Sequence, residues 1–405
     1  MKKIFRAAAV AAAALLSLAV CACTGGGPNN GFVENQGKED GQYGTFENAQ
    51  TGSETFYAMG TSAALMAMYE KGEKQSFDEL KAQVGRLLYG AEDSLSALIK
   101  GSSISDFNEA EAGAKVEIDA TAFTVLSTAK RMYEFTGGYY NPAVYHSVQA
   151  FGFPLGANTP NLPSEEEVNA FCELASHFNE LQLVEENSKF YAIKPEYTVT
   201  VGGESYSLAV DLGGIGKGWC ADRVDEILTE RKFEYGYFSF GSSSMAVKRY
   251  YKNDSKSYSI IPRDPRDDFD DLCSVWIKDV NLSTSGDYEQ YYELKNDDGT
   301  KTRYCHIINP MTGAPIRTGV ASVTVIGGSA AEDDAITTAL SCMDKATAVN
   351  FINDKLSDKT VIMLVFEGDK GIIISNRPDD LNKINSKYTL GNKVENGRIV
   401  LNDVA

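Results

Sequence analysis

The stretch Val210 to Leu228, VDLGGIGKGWCADRVDEIL, limits the possible folds more than any other part of the sequence. A β-like run ends in Asp211. Gly213, Gly214, Gly216 and Gly218 then surround Lys217, and an amphipathic helix is expected to begin near Asp222. Glycines this close together between a strand and a helix let backbone amides approach a phosphate or a ring, with a Lys charge beside them. The spacing is neither that of a Walker A loop nor that of a dinucleotide fingerprint. The same glycines also suit a tight strand-to-helix turn. Asp211 and Lys217 flanking the loop favour a ligand.

A second segment, Gly327 to Met343, reads GGSAAEDDAITTALSCM. Ser329 and Glu332 have capping-box spacing, so a helix should start near Ala330. Asp334 and Thr338 are then one turn apart on one helix face. A carboxylate and a hydroxyl are hard oxygen donors, better suited to Mg²⁺ than to zinc. Acidic residues in a first helical turn also simply favour the helix dipole. A third segment places His306 ahead of an Asn309-Pro310 turn, and Leu282 to Glu289 precedes it with a run of hydroxyls that suits either phosphate contacts or a loop entering a helix.

Elsewhere the pattern is mixed. Helical spacing of apolar residues marks Phe77–Tyr89, Ala122–Phe135 (followed by Gly137-Gly138) and Glu165–Glu180. Strand-like runs fall at Lys189–Ile193, Tyr197–Val201, Ser207–Val210, Tyr258–Ile261, Val320–Ile326 and Val361–Phe366. This predicts a mixed α/β (α+β) protein with no internal repeat, in which residues 55–405 form one unit. With 56 acidic and 38 basic side chains among 405 residues, the formal charge is −18, which argues against nucleic-acid binding. Three His and seven Cys are too few and too scattered for a zinc module or a disulfide framework.

Residues 1–22 read as a bacterial lipoprotein signal peptide: a basic start, then an apolar run from Ala7 too short to span a membrane. Ala22 before Cys23 makes Cys23 the candidate lipidated residue, with Cys21 in reserve. Residues 23–54 are expected to be a flexible tether, which places the protein at a bacterial membrane on its extracytoplasmic side. The five remaining cysteines read as mostly buried and unreactive.

Taken in order, the motifs resemble the ApbE family, the FAD:protein FMN transferases. The resemblance runs through Met59-Gly60-Thr61, Tyr89, Gly138-Tyr139-Tyr140-Asn141-Pro142, the Asp211–Asp222 loop, Ser283 to Tyr288, His306 to Pro310 and Asp334 to Ala339. It implies a fold with FAD and a metal in a central cleft, and Mg²⁺-dependent transfer of FMN from FAD to a Thr or Ser hydroxyl of an acceptor redox protein with release of AMP. By position, Met59, Tyr89, Tyr139, Tyr140, Asn141, Asp211, Lys217, His306 and Ile307 would contact FAD. Asp334, Thr338 and the Gly214 carbonyl would ligate the metal, and His306 or Asp287 would serve as the catalytic base. The chain departs from the family at Asn141 and Asn309, where Asp is usual, and at Gly241 to Ser244, where Gly-Gly-Asp/Asn is usual. A FAD diphosphatase and a non-catalytic FAD-binding lipoprotein are the alternatives to the transferase.

Overall fold

A computed structural model describes residues 49–154, 160–250 and 255–402. The signal segment, Cys21, Cys23 and most of the expected tether lie outside the described residues. Residues 49–54, assigned from sequence to the tether, belong instead to the first strand, Ala49–Ala58, which pairs along its whole length with Thr61–Glu70.

That hairpin forms one end of a nine-stranded sheet. Next come Gly236–Phe240, Ser244–Val247, Val280–Gly286, Val320–Ile326, Thr360–Glu367, Lys370–Ser375 and Thr389–Leu390. All neighbours are antiparallel except the last pair. The middle strands are largely buried without alternation because both faces of the sheet are covered. All seven residues of Val320–Ile326 are buried.

On one face, the helices Lys74–Leu95, Ala120–Thr136, Gly216–Glu230 and Ala330–Cys342 enclose the larger core, built around Leu65, Leu88, Leu126, Val224, Phe238 and Leu340. On the other face a second core, with Tyr237, Val247, Leu282 and Leu364, lies beneath the hairpin of Tyr258–Ile260 and Val275–Ile277.

The sequence-predicted helices all form, the first two with longer bounds. Phe77–Tyr89 extends to Lys74–Leu95, and Ala122–Phe135 to Ala120–Thr136, between an Asp119 N-cap and Gly137 at φ +65°. The third runs over Glu165–Ser176 from a complete Ser164/Glu167 capping box and ends in a 3-10 turn. The expected strand at Ser207–Val210 lies earlier, at Glu204–Ser207. The helix expected near Asp222 begins six residues sooner, at Gly216, so Lys217 stands in its first turn. The hydroxyl-rich run at 282–289 is neither a phosphate loop nor a helix entry; its first half is the interior strand Val280–Gly286. The five cysteines among the described residues are free, four of them buried, and burial pushes the Cys305 thiol up to about 11. Among the described residues no helix is long and apolar enough to cross a membrane.

Candidate active site

Two helices that are distant in sequence meet at their first turns. A methyl group on Gly218 would lie 2.2 Å from the Ala330 carbonyl oxygen, so only glycine permits this approach. Asp222, one turn further along, fixes the relative position. Its Oδ1 accepts the N–H of Ala330 at 2.6 Å, and its Oδ2 accepts that of Ala331 at 3.0 Å and the Ser329 hydroxyl at 2.6 Å. Asn281 from the sheet donates to Asp222 Oδ1 at 2.9 Å. The acid thus caps the second helix, where its charge also meets the positive end of the dipole. Ser329 accepts from the Glu332 N–H as the capping pattern predicts, while Glu332 itself pairs outward with Arg131.

Asp334 is consequently buried, at 3% exposure, against the glycine loop. Its Oδ2 accepts the Gly218 N–H at 3.2 Å. That N–H lies in the first turn of the helix, where it has no acceptor within the helix, and the carboxylate satisfies it. A methyl at Gly214 would stand 3.0 Å from Thr338 Oγ1 and 3.5 Å from the Tyr140 ring. Gly214, Asp334 and Thr338, the three expected metal ligands, therefore converge. Thr338 donates its proton to the Asp334 carbonyl at 3.0 Å, leaving its lone pairs unclaimed by that bond. Ser285 supports Thr337 at 2.8 Å and Thr338 at 3.4 Å from the strand beneath.

One carboxylate, one hydroxyl and one carbonyl make an all-oxygen set that fits a small hard cation such as Mg²⁺. Among the described residues no group of three His, Cys, Asp or Glu gathers as a metal cluster, in keeping with such a mixed donor set. Burial raises the Asp334 pKa, opposed by the Lys217 charge, the Gly218 N–H and a hydrogen bond from Ser244. A bound cation would supply the compensation that burial lacks. Ser244, on the strand beneath, donates its hydroxyl to the Asp334 carboxylate.

Lys217 lies at the centre of the electrostatics. Its Nζ donates to the Gly213 carbonyl at 2.9 Å, and its charge acts on Asp211, Asp334 and His306. Asp211 accepts the Gly213 N–H at 2.7 Å and thereby shapes the loop; burial raises its pKa against that bond and Lys217. Tyr140 is 2% exposed, and its buried hydroxyl has no hydrogen-bond partner among the described residues. Burial, then the charges of Asp334 and Asp211, hold that phenol protonated.

His306 is partly buried, and its Nδ1 lies 3.3 Å from the Gln290 carbonyl. A carbonyl only accepts, so Nδ1 carries a proton and Nε2 is the open acceptor of the neutral ring. Burial and the Lys217 charge lower its pKa to about 4, so it is neutral at pH 7. Ile307 is buried beside it and packs with Tyr139, Cys305 and Ile316.

Met59 occupies the tip of the first hairpin at φ +49°, its sulfur about 4.0 Å from a methyl built on Gly216. Glu92, absent from the sequence expectations, accepts the Met59 N–H at 2.7 Å. No local pattern marks that contact, which joins a turn to a helix 33 residues away. Tyr89 stands one turn before Glu92 with its ring half exposed.

Two of the expected residues are held by partners within the fold. The Asn141 amide donates to the Ala175 carbonyl at 2.8 Å, and its Oδ1 caps the next turn through the Ala143 N–H at 2.9 Å. Asp287 is engaged by two arginines. Arg266 grips both its oxygens, at 2.6 and 2.7 Å, and Arg303 approaches at 3.8 Å. Both carboxylate oxygens are thus already engaged by a guanidinium.

This fold and site define a class. The ApbE family model matches residues 59–363, and the chain belongs to that family. Curated relatives named FAD:protein FMN transferase include one from Vibrio cholerae serotype O1, 29% identical over 70% of this chain and 79% of its own length. Another, from Escherichia coli strain K12, is 26% identical over 72% of this chain and 78% of its own. The solved flavin transferase ApbE from Vibrio cholerae superposes with a TM-score of 0.63 at 26% identity, covering 81% of this chain and 97% of that one. The ApbE protein of Thermotoga maritima, 24% identical, shares the fold with a TM-score of 0.63 over 78% of this chain and 94% of its own.

Proposed function

We propose that this protein is a FAD:protein FMN transferase that uses Mg²⁺ to move FMN from FAD onto a Ser or Thr hydroxyl of an acceptor redox protein. One observation carries the reading: Gly214, Asp334 and Thr338 converge beside Lys217, in a chain whose relatives bear that activity in their names.

Asp334, Thr338 and the Gly214 carbonyl would hold the cation, which when bound offsets charge on the diphosphate. Lys217 adds a fixed positive charge beside the same anion. The half-exposed ring of Tyr89, the partly buried ring of Tyr139 and the Met59 side chain offer apolar contact for the flavin or adenine. His306 Nε2 takes the proton of the acceptor hydroxyl as its oxygen bonds to the FMN phosphorus. The phosphorus–oxygen bond to AMP breaks at the same centre, giving a phosphoester on the acceptor and free AMP. Cys23 as a lipid anchor would place this chemistry at the extracytoplasmic face of a bacterial membrane.

The test is to incubate the protein with FAD, Mg²⁺ and an acceptor domain carrying a Ser/Thr flavinylation motif, then record acceptor mass and AMP. A gain of one FMN that EDTA abolishes supports the proposal. AMP and FMN released without labelling of any acceptor would make the protein a FAD diphosphatase, and intact bound FAD a flavin-binding lipoprotein.

A further inference from the structure

We infer that the buried ion pair of Lys359 and Asp333 sets the rotation of the Ala330–Cys342 helix about its own axis, and so turns Asp334 and Thr338 towards the Gly214 loop. Both are positioning residues; neither is a proposed ligand. The inference rests on the metal-dependent reading above.

Asp333 and Asp334 are successive residues of one helix, so their side chains leave its axis about 100° apart. Asp334 is turned to the Gly218 N–H, whereas Asp333 is turned to Lys359, the residue before the strand Thr360–Glu367. Lys359 Nζ donates to Asp333 Oδ1 at 2.7 Å and also to the Gly327 carbonyl. One ammonium therefore holds the first turn of the helix together with the glycine turn that leads into it, where Gly327 and Gly328 have φ of +139° and +91°. Asp222 grips the same first turn from the neighbouring helix, through the N–H groups of Ala330 and Ala331. Backbone N–H groups point along the axis, so those bonds place the helix end. The bond to the Asp333 side chain acts away from the axis and resists rotation.

Stability gives no reason for the pair. Asp333 is 0% exposed and Lys359 8%. Asp333 Oδ2 is buried with no hydrogen-bond partner among the described residues. A buried ion pair with a half-satisfied carboxylate gains little over two apolar side chains of similar size. Apolar side chains pack at many orientations, whereas a 2.7 Å charged hydrogen bond is kept at few.

The experiment uses the full chain, the apolar pair Asp333→Leu with Lys359→Met, and the conservative Lys359→Arg. Each is titrated calorimetrically with Mg²⁺ alone and with FAD in EDTA, and each is melted without ligand. The apolar pair is expected to melt at or above the wild-type temperature, to bind FAD in EDTA as the wild type does, and to bind Mg²⁺ at least tenfold more weakly. Lys359→Arg keeps the charge and the donors, so its Mg²⁺ affinity should stay within about threefold of wild type. Wild-type Mg²⁺ affinity in the apolar pair would overturn the inference. So would an equal loss in Lys359→Arg, or an apolar pair that does not fold, which would make the pair a requirement of stability. Wild-type protein that binds no Mg²⁺ would instead remove the metal reading, and this inference with it.

Discussion

Asp334 and Gly218 lie 116 residues apart, yet the Asp334 carboxylate accepts the Gly218 backbone N–H at 3.2 Å. That single contact joins the expected metal carboxylate to the expected nucleotide loop and gives an acceptor to a first-turn N–H that has none within its own helix. The first prediction concerns its donor. Gly218→Ala would place a methyl 2.2 Å from the Ala330 oxygen, in backbone that has little room to shift. It should cost about 3 kcal/mol of stability or more and weaken Mg²⁺ binding in parallel. Thermal melts and metal titration check both, and an unaltered protein would remove the glycine from the argument.

Asp334→Ala should abolish Mg²⁺-dependent turnover while the fold persists. The side chain supplies the only carboxylate of the proposed ligand set, and its loss also removes an ionisable group that burial disfavours. Calorimetry with Mg²⁺ and circular dichroism separate the two effects. Wild-type activity in the variant would sink the metal assignment.

Asp222→Ala should cost roughly 1–2 kcal/mol, because four donors lose their acceptor at the start of the Ala330–Cys342 helix. The helix should then sit less firmly against Gly218, so Mg²⁺ affinity should fall although Asp222 is not itself a proposed ligand. Denaturant unfolding together with metal titration reads both; a stability loss with unchanged metal affinity would confine Asp222 to capping.

Asp287→Asn distinguishes a base from a structural anion. Its bidentate bond to Arg266 predicts a loss of about 1.5–3 kcal/mol, with measurable transfer retained. A stable but inactive variant would return Asp287 to the candidate bases.

His306 makes a pH prediction. Its pKa is lowered from 6.5 to about 4 in the folded protein, so the unfolded chain binds the proton more readily between those values. The stabilising contribution is fully present above pH 6.5 and is lost as pH falls through 4. His306→Gln should therefore flatten that part of the stability–pH curve and slow transfer at every pH. Denaturation measured from pH 4 to 7.5 provides the check; identical curves for both proteins would show that the imidazole is not shifted.

Much of this was legible in one dimension. Helical periodicity located Lys74–Leu95, Ala120–Thr136 and Glu165–Ser176, because an amphipathic face repeats every 3.6 residues whatever it packs against. Ser329 and Asp334–Thr338 were legible for the same reason: capping and helical stacking are local. The start of the helix at Gly216 was not, because the glycines that signal a loop are required there by the approach of a second helix. The strand character of Ser283 to Ser285 was likewise hidden, since polar side chains in an interior strand are compensated only by partners such as Ser244 and Thr337.

The sequence by itself determined the mixed α/β character, the order of the motifs and the residue types available for chemistry. These follow from local propensity and from which atoms each side chain carries. Only the tertiary structure decided which of those atoms are free to act. Asn141 and Asp287 are held by Ala175 and Arg266, whereas no partner among the described residues reaches the Tyr140 hydroxyl beside the Gly214 loop. The physical reason is that a hydrogen-bonding group's availability depends on partners brought to it through space, and those partners lie tens to hundreds of residues away.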